Sequence, residues 1–324
     1  MKRTDAVTRR PAVAVAAAGL CLAAVTVSAL TSCSTGADVS ATARASTGFN
    51  SGSGSGRDLT WAEDLRVSDA EQHLITQCMR RHGFRFQDER RPGLAESRPL
   101  GYVQDDVNWA RTYGYGSRIT AQEDRARLAN PNVAYRKALS PDRQRAFDTA
   151  MDGGTRSTQL RTMSPTGGTI TKMSGGCTGE AEKRLYGDPA RWFRTDTTVS
   201  NLRPLYVNKL LKDGEFTRAV HAWSACMRRA GHPYRDPAAA RQSTREHDAE
   251  RTPAEEARGF TAETRLAVAD ATCARSVHLR TIGERREAHY VDQLTGKYGA
   301  QLDLYRRIKQ DALTRAEKTV PART

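Results

Sequence analysis

The chain has 324 residues and a formal net charge of +14, with 51 Lys and Arg residues against 37 Asp and Glu. It contains six Cys and seven His residues. No Cys-x-x-Cys motif and no pair of His residues has the spacing of metal ligands, which argues against a structural zinc site and a dithiol redox enzyme. We therefore expect no metal ion and no other cofactor. The excess positive charge favours anionic partners such as lipid headgroups or phosphate-bearing wall polymers.

Residues 1–32 have the composition of a secretory signal peptide, with a basic start and an apolar run over residues 12–30. The tetrapeptide Leu30-Thr31-Ser32-Cys33 that follows resembles the lipobox of bacterial lipoproteins. The resemblance implies that the Cys33 thiol is lipidated and that Cys33 becomes the first residue of the mature chain. The alternative is an uncleaved membrane helix. Either arrangement leaves the rest of the chain anchored to the membrane on its outer face.

Residues 33–58 are rich in Ser, Gly, Thr and Ala and carry few large apolar side chains. Such a segment cannot bury enough apolar surface to become ordered, so we expect a flexible tether with a reach of roughly 25–30 Å. The remaining residues, 59–319, are predicted to form a mainly helical extracellular domain. We divide it into unit one (59–213), unit two (214–282) and a long C-terminal helix (283–319).

The division into units depends on a motif that occurs twice, at residues 78–88 and 226–236. Both copies begin with Cys-Met-Arg-Arg, have Gly at the sixth position and an aromatic residue at the ninth, and end with Asp. Ungapped agreement of this density indicates two related structural units. We expect each copy to contain the end of a helix, with Gly83 and Gly231 as the residues that terminate it.

The helix before the first motif is predicted to begin at a capping box formed by Ser68 and Glu71. After it we expect a loop over residues 84–101, helices over 105–113 and 120–128, a break at Asn130-Pro131, and a helix over 142–151. Residues 159–163 and 169–173 flank a Pro- and Gly-containing turn and predict a β-hairpin. Further helices are predicted over 177–186, from Asp188, and over 204–211.

The second Cys-Met helix follows Asp213-Gly214 and has an apolar stripe of Phe216, Val220, Trp223 and Met227. We expect a polar loop that follows Asp236-Pro237 and runs to Gly259, and then a helix over 261–281. The last segment has a long amphipathic pattern and either continues that helix or starts anew, because its glycines weaken the case for one continuous helix. The fold class is mainly α, with disulfide-stapled helical units, a small β-hairpin and a long C-terminal helix.

Four cysteines remain if Cys21 is removed with the signal peptide and Cys33 carries lipid. In an exported chain an even number of cysteines indicates disulfide bonds. Three pairings can be drawn, and the entropy of loop closure does not choose among them, because loops of about 50 and about 100 residues differ by less than ~1 kcal/mol. The repeat favours joining each Cys-Met helix to the next cysteine. The four cysteines are Cys78, Cys177, Cys226 and Cys273, so the pairs that the repeat favours are Cys78–Cys177 and Cys226–Cys273.

The repeated motif together with Ala269-Asp270-Ala271-Thr272-Cys273 resembles a pattern in a group of actinobacterial lipoproteins and secreted proteins. Unit one departs from that pattern, because no Ala-Asp pair precedes Cys177. The resemblance therefore supports the Cys226–Cys273 pair more directly than the Cys78–Cys177 pair. It brings no activity with it.

No set of residues in the sequence has the spacing of a known catalytic site. Thr169 and Lys172 have the spacing of a Ser-x-x-Lys motif, but Thr replaces Ser and the partner motifs are missing. The best candidate for a ligand cleft is an aromatic-rich stretch, for which core packing is the alternative interpretation. Its four aromatic residues are Tyr102, Trp109, Tyr113 and Tyr115.

Two functional hypotheses follow. The first is a non-enzymatic, membrane-anchored module that binds an anionic envelope polymer or another envelope protein. The second is a cell-envelope enzyme with an unfamiliar active site. Nucleic acid is not an expected partner, because the chain is expected outside the cell and its aromatic residues do not alternate with basic clusters.

Overall fold

The structure, a computed structural model, describes residues 57–88, 92–245 and 252–322. The predicted signal peptide, Cys33 and most of the predicted tether lie outside these residues. Helices and one antiparallel hairpin make up the described part, as the sequence predicts. The elements are α1 (Trp61–Arg81), α2 (Val107–Tyr113), α3 (Ser117–Leu128), α4 (Pro131–Lys137), α5 (Pro141–Asp152), β1 (Thr158–Met163), β2 (Thr169–Ser174), α6 (Gly176–Tyr186), α7 (Pro189–Ser200), α8 (Arg203–Leu211), α9 (Gly214–Arg229), α10 (Pro237–Arg245), α11 (Pro253–Ser276) and α12 (Leu279–Glu317).

Helix α1 begins at Trp61, so the predicted start at Ser68 is wrong. Thr60 and Glu63 form the capping box instead: the Thr60 amide donates to Glu63 Oε2 at 2.8 Å, and the Glu63 amide donates to Thr60 Oγ1 at 3.3 Å. Arg57, which donates to the same carboxylate, lowers the pKa of Glu63 to about 2. Both Thr60-x-x-Glu63 and Ser68-x-x-Glu71 match the capping pattern. The apolar residues between Thr60 and Ser68 belong to the helix, so the helix begins at the Thr60 box.

Both copies of the repeated motif end their helices in the same way. Gly83 and Gly231 have positive φ angles of 78° and 83°, which favour glycine. The amide of the next residue reaches back to the carbonyl of the motif methionine, at 3.1 Å for Met79 and 2.8 Å for Met227. This is the Schellman arrangement, which satisfies carbonyls left free at a helix end. The predicted helix ends are confirmed, and both methionines are fully buried.

The two Cys-Met helices lie in separate hydrophobic cores. The first core contains α1 together with residues of α5, α6 and the C-terminal part of α12. The second contains α9 together with residues of α10, α11 and the N-terminal part of α12, and it also takes in Val103 from the segment before α2. Helix α2 packs on α11. Segments from both sides of residue 213 therefore share the second core.

Helix α12 is a single helix of 39 residues that contributes to both cores. Its glycines do not interrupt it, and at Gly283 an added Cβ would lie 3.2 Å from the Phe216 ring, so glycine allows the close approach of α9. Helices α11 and α12 are not continuous. His278 between them adopts a left-handed φ of 54°, which turns the chain.

Ion pairs fix the start of α1 to the C-terminal half of α12. Arg306 Nε donates to Asp58 Oδ1 at 3.1 Å, and Lys309 pairs with Asp64. The side chains of Arg306 and Lys309 are largely buried, so each charge requires a partner. These contacts hold the end of the predicted tether against the domain.

The predicted break at Asn130-Pro131 is confirmed, because α3 ends at Leu128 and the next helix is separate from it. Helix α4, which was not predicted, starts at this break with the Asn130 side chain as its cap and Pro131 in the first turn. The polar loop predicted to follow Asp236-Pro237 and run to Gly259 is wrong in part, because it contains helical residues. Helix α10 starts at Pro237, and α11 starts at Pro253 behind a Thr252–Glu255 capping box.

Helix α3 begins at Ser117 rather than at the predicted Thr120, and its cap comes from a distant helix. Glu263 of α11 accepts hydrogen bonds from the amides of Tyr115 (2.7 Å) and Ser117 (3.2 Å) and from the Ser117 hydroxyl. A Cβ on Gly114 would lie 2.7 Å from the Glu263 carboxylate, so only glycine fits here. Local sequence cannot reveal a cap supplied from 146 residues away.

The hairpin is confirmed, with Thr158 paired to Ser174 and Met163 to Thr169. Leu160 and Ile170 are half-buried on one face, and β1 packs on α7. The opposite face is exposed. A two-stranded hairpin is marginal alone, so its contact with α7 stabilises it.

Both predicted disulfides are present. Cys78 of α1 is joined to Cys177 of α6, with Cα atoms 5.5 Å apart, and Cys226 of α9 is joined to Cys273 of α11, with Cα atoms 5.6 Å apart. Each bond therefore connects the repeated helix to a helix packed beside it. Cys78, Cys177 and Cys273 are buried, and Cys226 is partly exposed.

Removing either disulfide is expected to lower the free energy of unfolding by about 4–5 kcal/mol, because the bonds close loops of 99 and 47 residues in the unfolded chain. Urea unfolding of the paired variants Cys78→Ser/Cys177→Ser and Cys226→Ser/Cys273→Ser would measure this. The two losses should differ by less than about 1 kcal/mol in the same loop-entropy treatment. A loss below about 1 kcal/mol for both pairs would contradict a stabilising role for the bonds.

Candidate functional site

The four aromatic residues of the predicted ligand cleft do not form one site. Tyr113 lines an open groove, and Trp109 is buried beside it, with the two ring centroids 5.1 Å apart. Tyr102 lines a second, smaller cleft. Tyr115 belongs to a buried hydrogen-bond network. The sequence therefore identified residues from three neighbouring features rather than one cleft.

The open groove lies between the start of α1, the loop 93–98 and the end of α2, and has a volume of about 740 Å³. Indole donors hold the loop in place: Trp61 Nε1 donates to Ser97 Oγ at 3.3 Å, and Trp109 Nε1 donates to the Ala95 carbonyl at 2.8 Å. Leu94 is 38% exposed at the groove. The lining residues are Thr60, Trp61, Ala62, Gly93, Leu94, Ala95, Glu96, Arg98 and Tyr113.

The charged side chains of the groove are engaged within the protein. Arg98 pairs with Asp106 at 3.0 Å and lies over the Trp109 ring, 5.6 Å from its centroid. The Trp109 backbone amide, which donates to Asp106, lowers the pKa of that carboxyl, and Arg98 adds to the effect. Glu96 accepts a hydrogen bond from the Gly93 amide at 3.1 Å. The groove therefore offers mainly apolar and aromatic surface to a ligand.

The second cleft has a volume of about 330 Å³ and lies between α8, α9 and α10. The rings of Tyr102 and Phe216 approach to 5.6 Å along its wall, and Leu211 is 46% exposed. Burial raises the pKa of Tyr102 to about 12, and the negative charge of Asp236 adds to the shift. Asp236 itself caps α10 by accepting the Ala239 amide at 2.8 Å. This carboxylate is therefore occupied with a structural contact.

Asp270 lies at the centre of the buried network and is 0% exposed. Its Oδ1 accepts from Trp223 Nε1 at 2.9 Å, and its Oδ2 accepts from the Tyr115 hydroxyl at 3.0 Å. Burial raises the pKa of Asp270 to about 6, against the opposing effects of Arg241 and the two hydrogen bonds. Burial also raises the pKa of the Tyr115 hydroxyl, and the charge of Asp270 adds to that shift.

Arg241 of α10 connects this network to the segment before α2. It donates to the Gly101 carbonyl at 2.5 Å and to the Tyr102 carbonyl at 2.9 Å. Burial lowers the pKa of Arg241, although the charge of Asp270 opposes the shift. Arg280 of α12 binds the same segment through the Val103 carbonyl at 2.8 Å. Two arginines thus fasten an irregular segment to the second core.

Sequence reasoning missed Trp61, Arg241 and Asp270 as site residues. For Asp270 a signal was present, because this acidic residue lies in register with Leu266 and Cys273 on the apolar face of a predicted helix. A charged residue on such a face needs a buried partner. For Arg241 no comparable signal exists, because it falls in a stretch without apolar periodicity.

Cys78, His82 and Cys177 offer three potential metal-ligating atoms within 4.8 Å of one another. Both sulfur atoms are engaged in the disulfide. Metal ions bind thiolates, so this group is not a metal site in the disulfide-bonded protein.

A comparison with protein-family models, with curated proteins and with solved structures finds no match for this chain. Among the described helices, none is both long enough and apolar enough to cross a membrane.

The raised pKa of Asp270 makes a testable contribution to stability. Its proton is bound more tightly in the folded state, so the stabilisation is complete below about pH 4 and is lost as the pH rises through about 6. Raising the pKa of Asp270 from about 4 to about 6 corresponds to a loss of about 3 kcal/mol in the free energy of unfolding. Asp270→Asn removes the titration, so its free energy of unfolding should rise relative to wild type between pH 4 and pH 7. Urea unfolding across this range measures the difference.

The matched control is Asp106→Asn, because Asp106 caps α2 by accepting the Asn108 and Trp109 amides and asparagine can form the same cap. The pKa of Asp106 is lowered from its ordinary value, so this carboxyl is ionised in both the folded and the unfolded state above about pH 4, and the difference between Asp106→Asn and wild type should change little between pH 4 and pH 7. A constant difference between Asp270→Asn and wild type would show that Asp270 does not titrate with a raised pKa.

Proposed function

We propose that this protein is an exported lipoprotein, anchored through Cys33 to the outer face of the cell membrane, that acts as a binding module of the cell envelope. The observation that carries the proposal is the pair of disulfides, one in each of the two cores that contain the Cys-Met helices. Structural disulfides are typical of chains folded in oxidising compartments. This agrees with the signal-like residues 1–32 and with the likeness of residues 30–33 to a lipobox.

A binding role, rather than catalysis, is supported by the character of the surface features. The groove beside Tyr113 is open, and its charged residues Arg98 and Glu96 are held in internal contacts. Asp270, whose carboxyl pKa is raised by burial to about 6, has no exposed surface. A general acid or base must reach its substrate. The cell-envelope enzyme therefore has less support than the binding module.

Anionic components of the envelope are the favoured partners. Residues 1–32 contain four basic residues and one acidic residue, so the chain without them keeps a formal charge of about +11. A surface with such a charge attracts polyanions and anionic headgroups, and salt screens the attraction.

The proposal predicts that Cys33→Ser releases or mislocalises the protein, because the acyl acceptor is lost. Membrane fractionation of the expressing cells, with mass spectrometry of the N-terminal peptide, would measure this. Cys21→Ser is the matched control, since Cys21 lies within the apolar run and should leave fractionation unchanged. Unchanged membrane association of Cys33→Ser would contradict lipid anchoring.

Binding is tested separately with immobilised protein and envelope material. We expect anionic material to be retained at low ionic strength and released at high ionic strength, because exposed charges are screened within about 10 Å at 0.1 M salt. Absence of retention at low salt would contradict an anionic partner.

A further inference from the structure

We propose that an arginine cluster at the C-terminal end of α1, formed by Arg80, Arg85 and Arg143, binds the phosphate groups of an anionic envelope polymer. This inference rests on the proposed function and deepens it, because it names the surface and the chemistry of the partner. The three side chains come from α1, from the segment after it and from α5, and all three residues are exposed.

An aromatic floor lies beneath the arginine cluster. Phe147 of α5 is its centre, with the rings of Phe84, Phe86 and Tyr135 at centroid distances of 5.2, 6.1 and 6.3 Å. Phe84, Phe86 and Phe147 are buried, and Tyr135 is half-buried. Rings packed in this way form a rigid surface with little freedom to rearrange.

Two guanidinium groups lie over this floor. Arg143 is 4.5 Å from the centroid of Phe84, and Arg85 is 4.9 Å from the centroid of Tyr135. Cation–π contact restricts a guanidinium that would otherwise sample many positions. A guanidinium held in this way keeps its N–H groups available as a fork that matches phosphate oxygens.

Backbone carbonyls position the cluster further. Arg80 Nε donates to the Phe86 carbonyl at 3.1 Å, and Arg143 Nη2 donates to the Gly83 carbonyl at 3.2 Å. Among the described residues, no carboxylate forms an ion pair with Arg80, Arg85 or Arg143. The neighbouring Arg81 differs, because it pairs with Glu180 at 2.5 Å. The cluster thus presents three positive charges without a described anionic partner.

The position of the cluster favours a polymer over the headgroups of the anchoring membrane. The chain that leads back to Cys33 joins the domain at the N-terminal end of α1, beside Trp61. Helix α1 has 21 residues, which corresponds to a length of about 30 Å. The cluster at its other end therefore lies about 30 Å from the point where the predicted tether joins the domain.

The second copy of the motif provides an internal comparison. Where unit one has Phe84 and Arg85, unit two has His232 and Pro233. Arg235 of unit two pairs with Asp236 at 3.0 Å. The corresponding end of α9 thus lacks both the phenylalanine and the arginine that unit one has at these positions. Arg228 and Arg229, which are exposed there, can be changed as a charge-matched control.

The test compares Arg85→Gln/Arg143→Gln with Arg228→Gln/Arg229→Gln in the full-length protein, purified in detergent micelles. Each variant loses two positive charges, and the exposed side chains allow both to keep the wild-type unfolding midpoint. The probes are long-chain inorganic polyphosphate and vesicles of equal parts phosphatidylglycerol and phosphatidylcholine. We expect affinity for polyphosphate at low salt to fall about tenfold in the first variant, as for the loss of two phosphate contacts, and to change little in the second.

Equal losses of polyphosphate affinity in the two variants would overturn the inference, because net charge alone would then explain binding. A loss confined to the phosphatidylglycerol vesicles would also overturn it and would identify a lipid surface instead. Membrane fractionation of the first variant should match wild type. Failure of the arginine cluster is thereby distinguished from failure of lipid anchoring, which depends on Cys33.

Discussion

Each of the two hydrophobic cores contains one covalent bond between helices, and the rest of the structure depends on these two bonds. The repeated motif places its cysteine one turn before the helix end, and the bond fixes that end to α6 in unit one and to α11 in unit two. Because the motif methionine, fully buried, follows the cysteine directly, core packing and the covalent bond act at the same place. Helix α12 then contributes to both cores, so the two stapled units share one long helix.

The two units use this common framework differently. Arg241, Arg280 and Glu263 of unit two hold the segment 101–117, which precedes unit two in the sequence, against the second core. The Asp270 carboxyl is enclosed by Tyr115 of that segment and by Trp223. In unit one, the segment after α1 carries aromatic rings into the core, and arginines lie above these rings at the surface. The polar residues of unit two therefore form contacts inside the protein, whereas unit one has positively charged side chains at its surface. This difference provides the proposed anion-binding surface in unit one and a comparison site in unit two within one chain.

Features with a local cause could be predicted from the sequence. The ends of the two Cys-Met helices follow from glycines at left-handed positions, the hairpin follows from two short strands around a turn, and the disulfide pairing follows from the repeat. Asn130-Pro131 correctly predicted the end of α3, but a cap followed by proline also starts a helix, and α4 was not predicted. The cap of α3 by Glu263 and the partners of Asp270 depend on contacts between residues far apart in sequence. No local pattern encodes such contacts, and so the candidate cleft was assembled from residues that the fold separates.

Peptide mapping of the protein, purified and digested without reduction, tests the central role of the disulfides most directly. The account predicts two linked peptides, one joining Cys78 to Cys177 and one joining Cys226 to Cys273, with no free thiol among these four residues. Four free thiols, or a peptide joining Cys78 to Cys226, would contradict it.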